Sequence, residues 1–228
     1  MPAGCLDSRR QVITFDLFSA LLDSASGAEP VLSTFGYERN WSRTGQQVYT
    51  AWDARNKELQ KSCTEWTSFS VLAGQALADT YEHYGLSGDA RQDNIRLLAS
   101  VPNWPVWPDV VAGLTLLGRR FTLGILSNVD NDLLATTRIW ALVDHEFAFT
   151  SERLGCYKPN PRIYQLTAAA CPLAAHVAAS ARDVRGAVEA AIPAVRVARS
   201  GHRVDPAGPA PQVTVSTISE LDLILARN

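Results

Sequence analysis

Val12-Ile13-Thr14-Phe15 is a run of β-branched and aromatic side chains that stops at Asp16. Such a run, short and with little polar alternation, predicts a strand covered on both faces, as in a parallel sheet. A carboxylate at the carboxyl end of that strand stands where open α/β sheets bind their ligands.

Working outward from Asp16, the pattern changes to helix over residues 27–100. Trp41, Val48, Trp52 and Leu59 recur at helical spacing, and so do Trp66, Phe69, Ala73, Leu77 and Tyr84. Gly85 and Gly88 punctuate that second series, and a further helix is expected over 89–100. Pro102, Pro105 and Pro108 break any continuation and mark 101–108 as a linker. Beyond it strands and helices alternate. Strands are expected at 121–126, 147–150, 176–179, 195–198 and 213–218. Helices are expected at 110–117, 131–140, 162–170 and 183–191, and after the last strand. Residues 206–211 read as a surface loop. Alternation of this kind predicts an α/β fold, a doubly wound parallel sheet carrying an inserted helical bundle. The core is expected to comprise residues 1–24 and 101–228, and the helical domain residues 25–100.

Composition narrows the function classes. Of 228 residues, 46% are aliphatic or aromatic and 19% charged, enough apolar material for a real core. A net charge of −2 without a Lys/Arg run argues against a nucleic-acid partner. No stretch reaches the roughly 18 apolar residues of a spanning helix, and residues 1–10 lack the apolar centre of a secretion signal, so no membrane and a cytoplasmic location are expected. The four cysteines, Cys5, Cys63, Cys156 and Cys171, are scattered and expected to be reduced thiols. The four histidines show no zinc-type pair, and no metal site is expected.

Four candidate positions follow predicted strands: Asp16, Ser127-Asn128, Lys158 and Asp183. Each has a plain structural alternative, as turn, helix cap or solvated loop residue. A parallel sheet, however, brings strand ends to one edge, where the four can converge. The chemistry that fits is nucleophilic catalysis by a carboxylate: Asp16 forms an ester, and water then hydrolyses it. A lysine at about 4 Å would hold the nucleophile ionised with roughly 4 kcal/mol at an effective dielectric of 20. Ser127 and Asn128 would offer donors to a small anionic substrate.

The same residues carry a resemblance. Val12-Ile13-Thr14-Phe15-Asp16-Leu17-Phe18-Ser19-Ala20-Leu21 resembles the first motif of the haloacid dehalogenase superfamily, with Leu126-Ser127-Asn128 as the second. Tyr157-Lys158-Pro159-Asn160-Pro161-Arg162-Ile163-Tyr164 resembles the third motif, and the segment from Val177 through Asp183 to Ala187 the fourth. The helical insert stands where this superfamily carries its cap. Phosphatases of the superfamily have a second aspartate at the Phe18 position, which helps hold magnesium. An aromatic residue there resembles the type II (L-)2-haloacid dehalogenases, which use no cofactor. That resemblance implies catalytic roles for Asp16, Lys158 and Asp183, and substrate contacts from Arg43, Ser127, Asn128, Tyr164, Ser180 and Phe18. It further implies a halide-drawing role for Arg43 and a homodimer. Departures are Ser19-Ala20 in place of Gly-Thr, Ala178 in place of a serine, and Ser180 in place of an asparagine. Two alternatives stay open: a magnesium-dependent phosphatase of the same superfamily, and a catalytically weakened binding or regulatory protein.

Overall fold

The computed structural model describes residues 10–204 and 206–225; Cys5 and the rest of residues 1–9 lie outside them. Strand β1 (Val12–Phe15) is buried at every position. It leads to four helices, α1 (Ser24–Arg39), α2 (Gly45–Ser62), α3 (Phe69–Tyr84) and α4 (Ala90–Ala99). The chain returns through α5 (Val110–Leu117), β2 (Thr122–Ser127), α6 (Asn131–Ala135), β3 (Ala148–Thr150) and the short α7 (Ser151–Leu154). Then follow α8 (Pro161–Ala170), β4 (Leu173–Ala178), α9 (Ala181–Glu189), β5 (Ala194–Val197), β6 (Val213–Val215) and α10 (Glu220–Leu225).

The six strands form one parallel sheet in the order β3-β2-β1-β4-β5-β6. The chain runs outward on one side of β1 and then crosses to β4 on the other. The switch in direction therefore falls between β1 and β4, which puts Asp16 at the crevice where such sheets take ligands. Phe15 pairs with Ile125 on one side and Val177 on the other, so Asp16, Ser127 and the residues after β4 share one edge.

Alternate strand residues feed separate cores. Ile13, Phe15, Ile125 and Val177 pack with Leu114 and Leu117 of α5, whereas Val12 and Leu126 pack with Ile163 and Tyr164 of α8. Each fully buried side chain of this size contributes about 1.5–3 kcal/mol. The helices α1–α4 enclose a core of their own, including Leu32, Phe35, Trp52, Ala73, Leu77 and Leu97. Phe18 packs against both this cluster and the sheet core.

Local chemistry sets the helix limits. Thr44 and Gln47 form a reciprocal capping box that starts α2. Ser68 caps α3, and Trp66, which shares that helix's periodicity, lies before the cap and is 37% exposed. The helix expected over 131–140 ends at Ala135. Thr136 and Thr137 donate their hydroxyls to the carbonyls of Leu133 and Leu134, an arrangement that competes with continued helix. The expected opening of a helix at Asp183 is also displaced: α9 begins at Ala181, with Ser180 as its cap.

Core and helical cap are joined by polar contacts around the crevice. Asp130 accepts the backbone N–H groups of Phe69 and Ser70 at 2.7 and 2.9 Å, placing a carboxylate at the positive end of α3. The Tyr157 hydroxyl donates to the Thr67 carbonyl at 2.6 Å. Among the described residues, no helix is long and apolar enough to cross a membrane.

Candidate active site

Asp16 is 6% exposed at the end of β1. Its Oδ1 accepts from the Ser127 hydroxyl at 2.9 Å and from Lys158 Nζ at 2.8 Å. Among the described residues, its Oδ2 has only the Ser19 hydroxyl, at 3.4 Å. The two oxygens are thus unequal: one is held, and the other keeps its lone pairs for chemistry. Ser19 reaches Oδ2 from a left-handed backbone, φ 73°, a conformation uncommon for a residue with a Cβ. A glycine would adopt it without strain, and the hydrogen bond helps offset that strain in serine.

Lys158 is the hub. Its ammonium donates to Asp16 Oδ1, to the Leu126 carbonyl at 2.8 Å and to Asp183 Oδ2 at 2.5 Å, which uses all three donors. Burial alone would lower its pKa; the two carboxylates overcome that and hold it above the ordinary lysine value. For Asp183, burial works upward, but Lys158 and then His176 hold its carboxyl well below the usual carboxylate range. Asp183 Oδ1 also accepts from the Tyr164 hydroxyl at 2.8 Å.

His176, fully buried on β4, was not anticipated from the sequence. Its Nε2 lies 3.2 Å from Asp183 Oδ1, and its Nδ1 lies 3.0 Å from the Thr14 hydroxyl. These partners suit the tautomer in which Thr14 donates to Nδ1 and Nε2–H donates to Asp183. A polar side chain within an otherwise buried strand is the sequence signal that could have marked it.

The other expected contacts divide into two groups. Phe18, Ser127, Asn128 and Ser180 line a cavity of about 100 Å³ between Asp16 and the cap, which leaves room for a small organic acid. Its apolar wall includes Trp52, Phe69 and Trp104, with Phe18 stacked on Phe69 at 5.6 Å. Ser180 accepts the Asp183 N–H at 3.4 Å as the cap of α9. Tyr164 touches Asp183 but does not line the cavity. Arg43 is not brought to the site. It is exposed, with its guanidinium 4.7 Å from the centre of the Tyr84 ring, and it does not line the cavity. The capping box turns the backbone at Thr44, just after Arg43, which packs on the end of α3 instead.

Asn128 holds the backbone of Lys158 from both sides. Its Oδ1 accepts the Lys158 N–H at 2.8 Å, and its Nδ2 donates to the Lys158 carbonyl at 3.0 Å and to Gln60 Oε1 at 2.8 Å. Its donors are therefore committed to placing the lysine. Asn128→Ala is expected to lower kcat roughly 10-fold, the loss of one to two buried hydrogen bonds, with a smaller change in KM. Steady-state kinetics on the substrate that the wild type turns over would check this, and a change confined to KM would contradict it.

The residues do not fit a magnesium ion. Phe18 stands two positions after Asp16, Ala178 and Ala179 offer no side-chain oxygen, and an ammonium already bridges the two carboxylates. Among the described residues, no group of three or more His, Cys, Asp and Glu side chains is placed to hold a metal.

The fold, a parallel six-stranded sheet between helices with a helical insert above its carboxyl edge, is shared with solved dehalogenase structures. In sequence the chain is similar to a 2-haloacid dehalogenase. It is 25% identical to (S)-2-haloacid dehalogenase 4A of Burkholderia cepacia across 98% of this chain and 97% of that protein. The L-2-haloacid dehalogenase of Xanthobacter autotrophicus superposes with a TM-score of 0.79 at 20% identity, covering 96% of this chain and 99% of that one. A HAD-hydrolase of Bacillus subtilis, YfnB, whose structure was determined bound to magnesium, superposes with a TM-score of 0.73 at 16% identity, covering 95% and 99%. No protein-family model matches the chain.

Proposed function

We propose that the protein is a hydrolase acting on carbon–halogen bonds, a 2-haloacid dehalogenase that works through an ester on Asp16. The supporting observation is the Asp16–Lys158–Asp183 constellation at the cavity wall, with Oδ1 of Asp16 tied down and Oδ2 held by no more than the long Ser19 contact. Oδ2 attacks the halogen-bearing carbon. The new C–O bond forms as the carbon–halogen bond breaks, and the halide leaves with the bonding pair. Water then attacks the Asp16 carbonyl carbon and gives its proton to Asp183. Oδ1 takes the developing negative charge, with Ser127 and Lys158 already donating to it. Collapse expels the hydroxy acid as an alkoxide, which collects that proton from Asp183; Asp16, left as a carboxylic acid, releases the second proton of the water to solvent and is restored as the carboxylate.

Asp183 is a weak base in this setting because Lys158, Tyr164 and His176 all donate to it. Its larger task is to fix the lysine and the water, and the charge placed at Oδ1 lowers the barrier to attack. Closure of the cap over an aromatic wall keeps bulk water from competing.

Halide release from short 2-chloro- and 2-bromo-carboxylic acids tests the reading. Stoichiometric halide and hydroxy acid, without added metal, are expected. Inactivity on the whole panel, with hydrolysis of an aryl phosphate that needs magnesium, would favour the phosphatase instead.

A further inference from the structure

Three cations line or adjoin the cavity, and two are already spoken for. Lys158 spends its donors on Asp16, Asp183 and the Leu126 carbonyl. Lys57 on α2 is paired with Asp53 at 2.5 Å. The third is Arg182, in the first turn of α9 and adjacent in sequence to Asp183. It lines the cavity and, among the described residues, forms no ion pair. Its Nη1 donates to the Lys57 carbonyl at 2.8 Å, its Nη2 donates to the Lys158 carbonyl, and its Nε–H is buried without an acceptor.

A cation in the first turn of a helix works against the helix dipole. One that is also partly withdrawn from water is costly unless an anion meets it. Carbonyl oxygens satisfy two of its N–H groups but supply no net negative charge. A planar guanidinium matches a carboxylate, and its fork stands beside the Lys158 loop, next to the reacting centre. Ala178 and Ala179 offer no side-chain donors there, and the donors of Asn128 are committed. Among the described residues lining the cavity, Arg182 is thus the lysine or arginine side chain without a carboxylate at ion-pair distance.

We infer that Arg182 is the residue that binds the carboxylate of the substrate and so orients its neighbouring carbon toward Oδ2 of Asp16. The inference deepens the dehalogenase reading and rests on it for the identity of the substrate, but not for the binding of a carboxylate. Trp52 and Trp104 line the same cavity, so their fluorescence reports occupancy without turnover. Propionate, an unreactive acid, and bromide are titrated separately into the wild type, Arg182→Lys and Arg182→Met. Propionate should bind the wild type and lose about 10–100-fold in affinity in Arg182→Met, with partial recovery in Arg182→Lys. Should the methionine variant fail to melt cooperatively, the lysine variant alone decides, through a loss of at least about 3-fold. Equal propionate affinity in the variants, no propionate binding by the wild type, or a loss confined to bromide would each overturn the assignment. Binding of propionate through Arg182 without halide release from any haloacid would retain this site and remove the dehalogenase reading.

Discussion

Lys158→Met is expected to lower the melting temperature by roughly 10 °C and to remove ester formation. The substitution leaves Asp16 and Asp183 facing each other in a buried site with no cation between them. Breaking a buried ion pair by deleting one partner costs about 3–5 kcal/mol, and each kcal/mol shifts a chain of this size by about 2–4 °C. The sign with pH follows from the two shifted groups. Asp183 is held below the ordinary carboxylate range, so its contribution is present above the unfolded value and disappears as pH falls through the folded one. Lys158 is raised, so its contribution is present below the ordinary lysine value and disappears as pH rises through the folded one. The deficit of the variant should therefore be widest between about pH 4 and pH 10 and narrow toward both ends. Thermal melts across that range check the prediction; an unchanged melting temperature at pH 7 would mean that the ammonium does not bridge the two acids.

Asp16→Asn is expected to remove activity by about 10,000-fold or more while leaving the fold nearly intact. An amide oxygen can still accept from Ser127 and Lys158, so the packing of the site survives and the melting temperature should fall by less than in Lys158→Met. What the amide lacks is a carboxylate oxygen able to attack carbon. Halide release and thermal melting on the same preparation separate the two effects. Activity within about tenfold of the wild type would exclude Asp16 as the nucleophile.

How far the sequence reached is clearest at the sheet edge. Val12-Ile13-Thr14-Phe15 could be read as a central strand because burial on both faces leaves little polar alternation, and its partners followed from the alternation of strands and helices. The convergence of Asp16, Ser127, Lys158 and Asp183 was legible because strand order places all four at one edge. Arg43 was not, since its position depended on which way the chain turns before a helix cap, a matter of backbone angles that spacing does not encode. Arg182 stood just before the helix expected from Asp183, and the observed start at Ala181 puts it inside the first turn. That first-turn place, where the dipole disfavours a cation, depended on the Ser180 cap and was not legible from spacing. Asn128 had the right residue type in the right place, but its amide turned out to hold the Lys158 backbone, a long-range partnership that no local pattern announces.

The chemistry proposed for Asp16 can be read from the fate of one oxygen atom. Enzyme in excess over a 2-haloacid is allowed a single turnover in heavy-oxygen water, and the peptide containing Asp16 and the released hydroxy acid are both weighed. Attack by the aspartate with hydrolysis at its carbonyl carbon predicts one heavy oxygen in the Asp16 peptide and an unlabelled first-turnover product. Label in the hydroxy acid with an unlabelled peptide would mean that water attacks the substrate directly, and the account built on Asp16 as nucleophile would be contradicted.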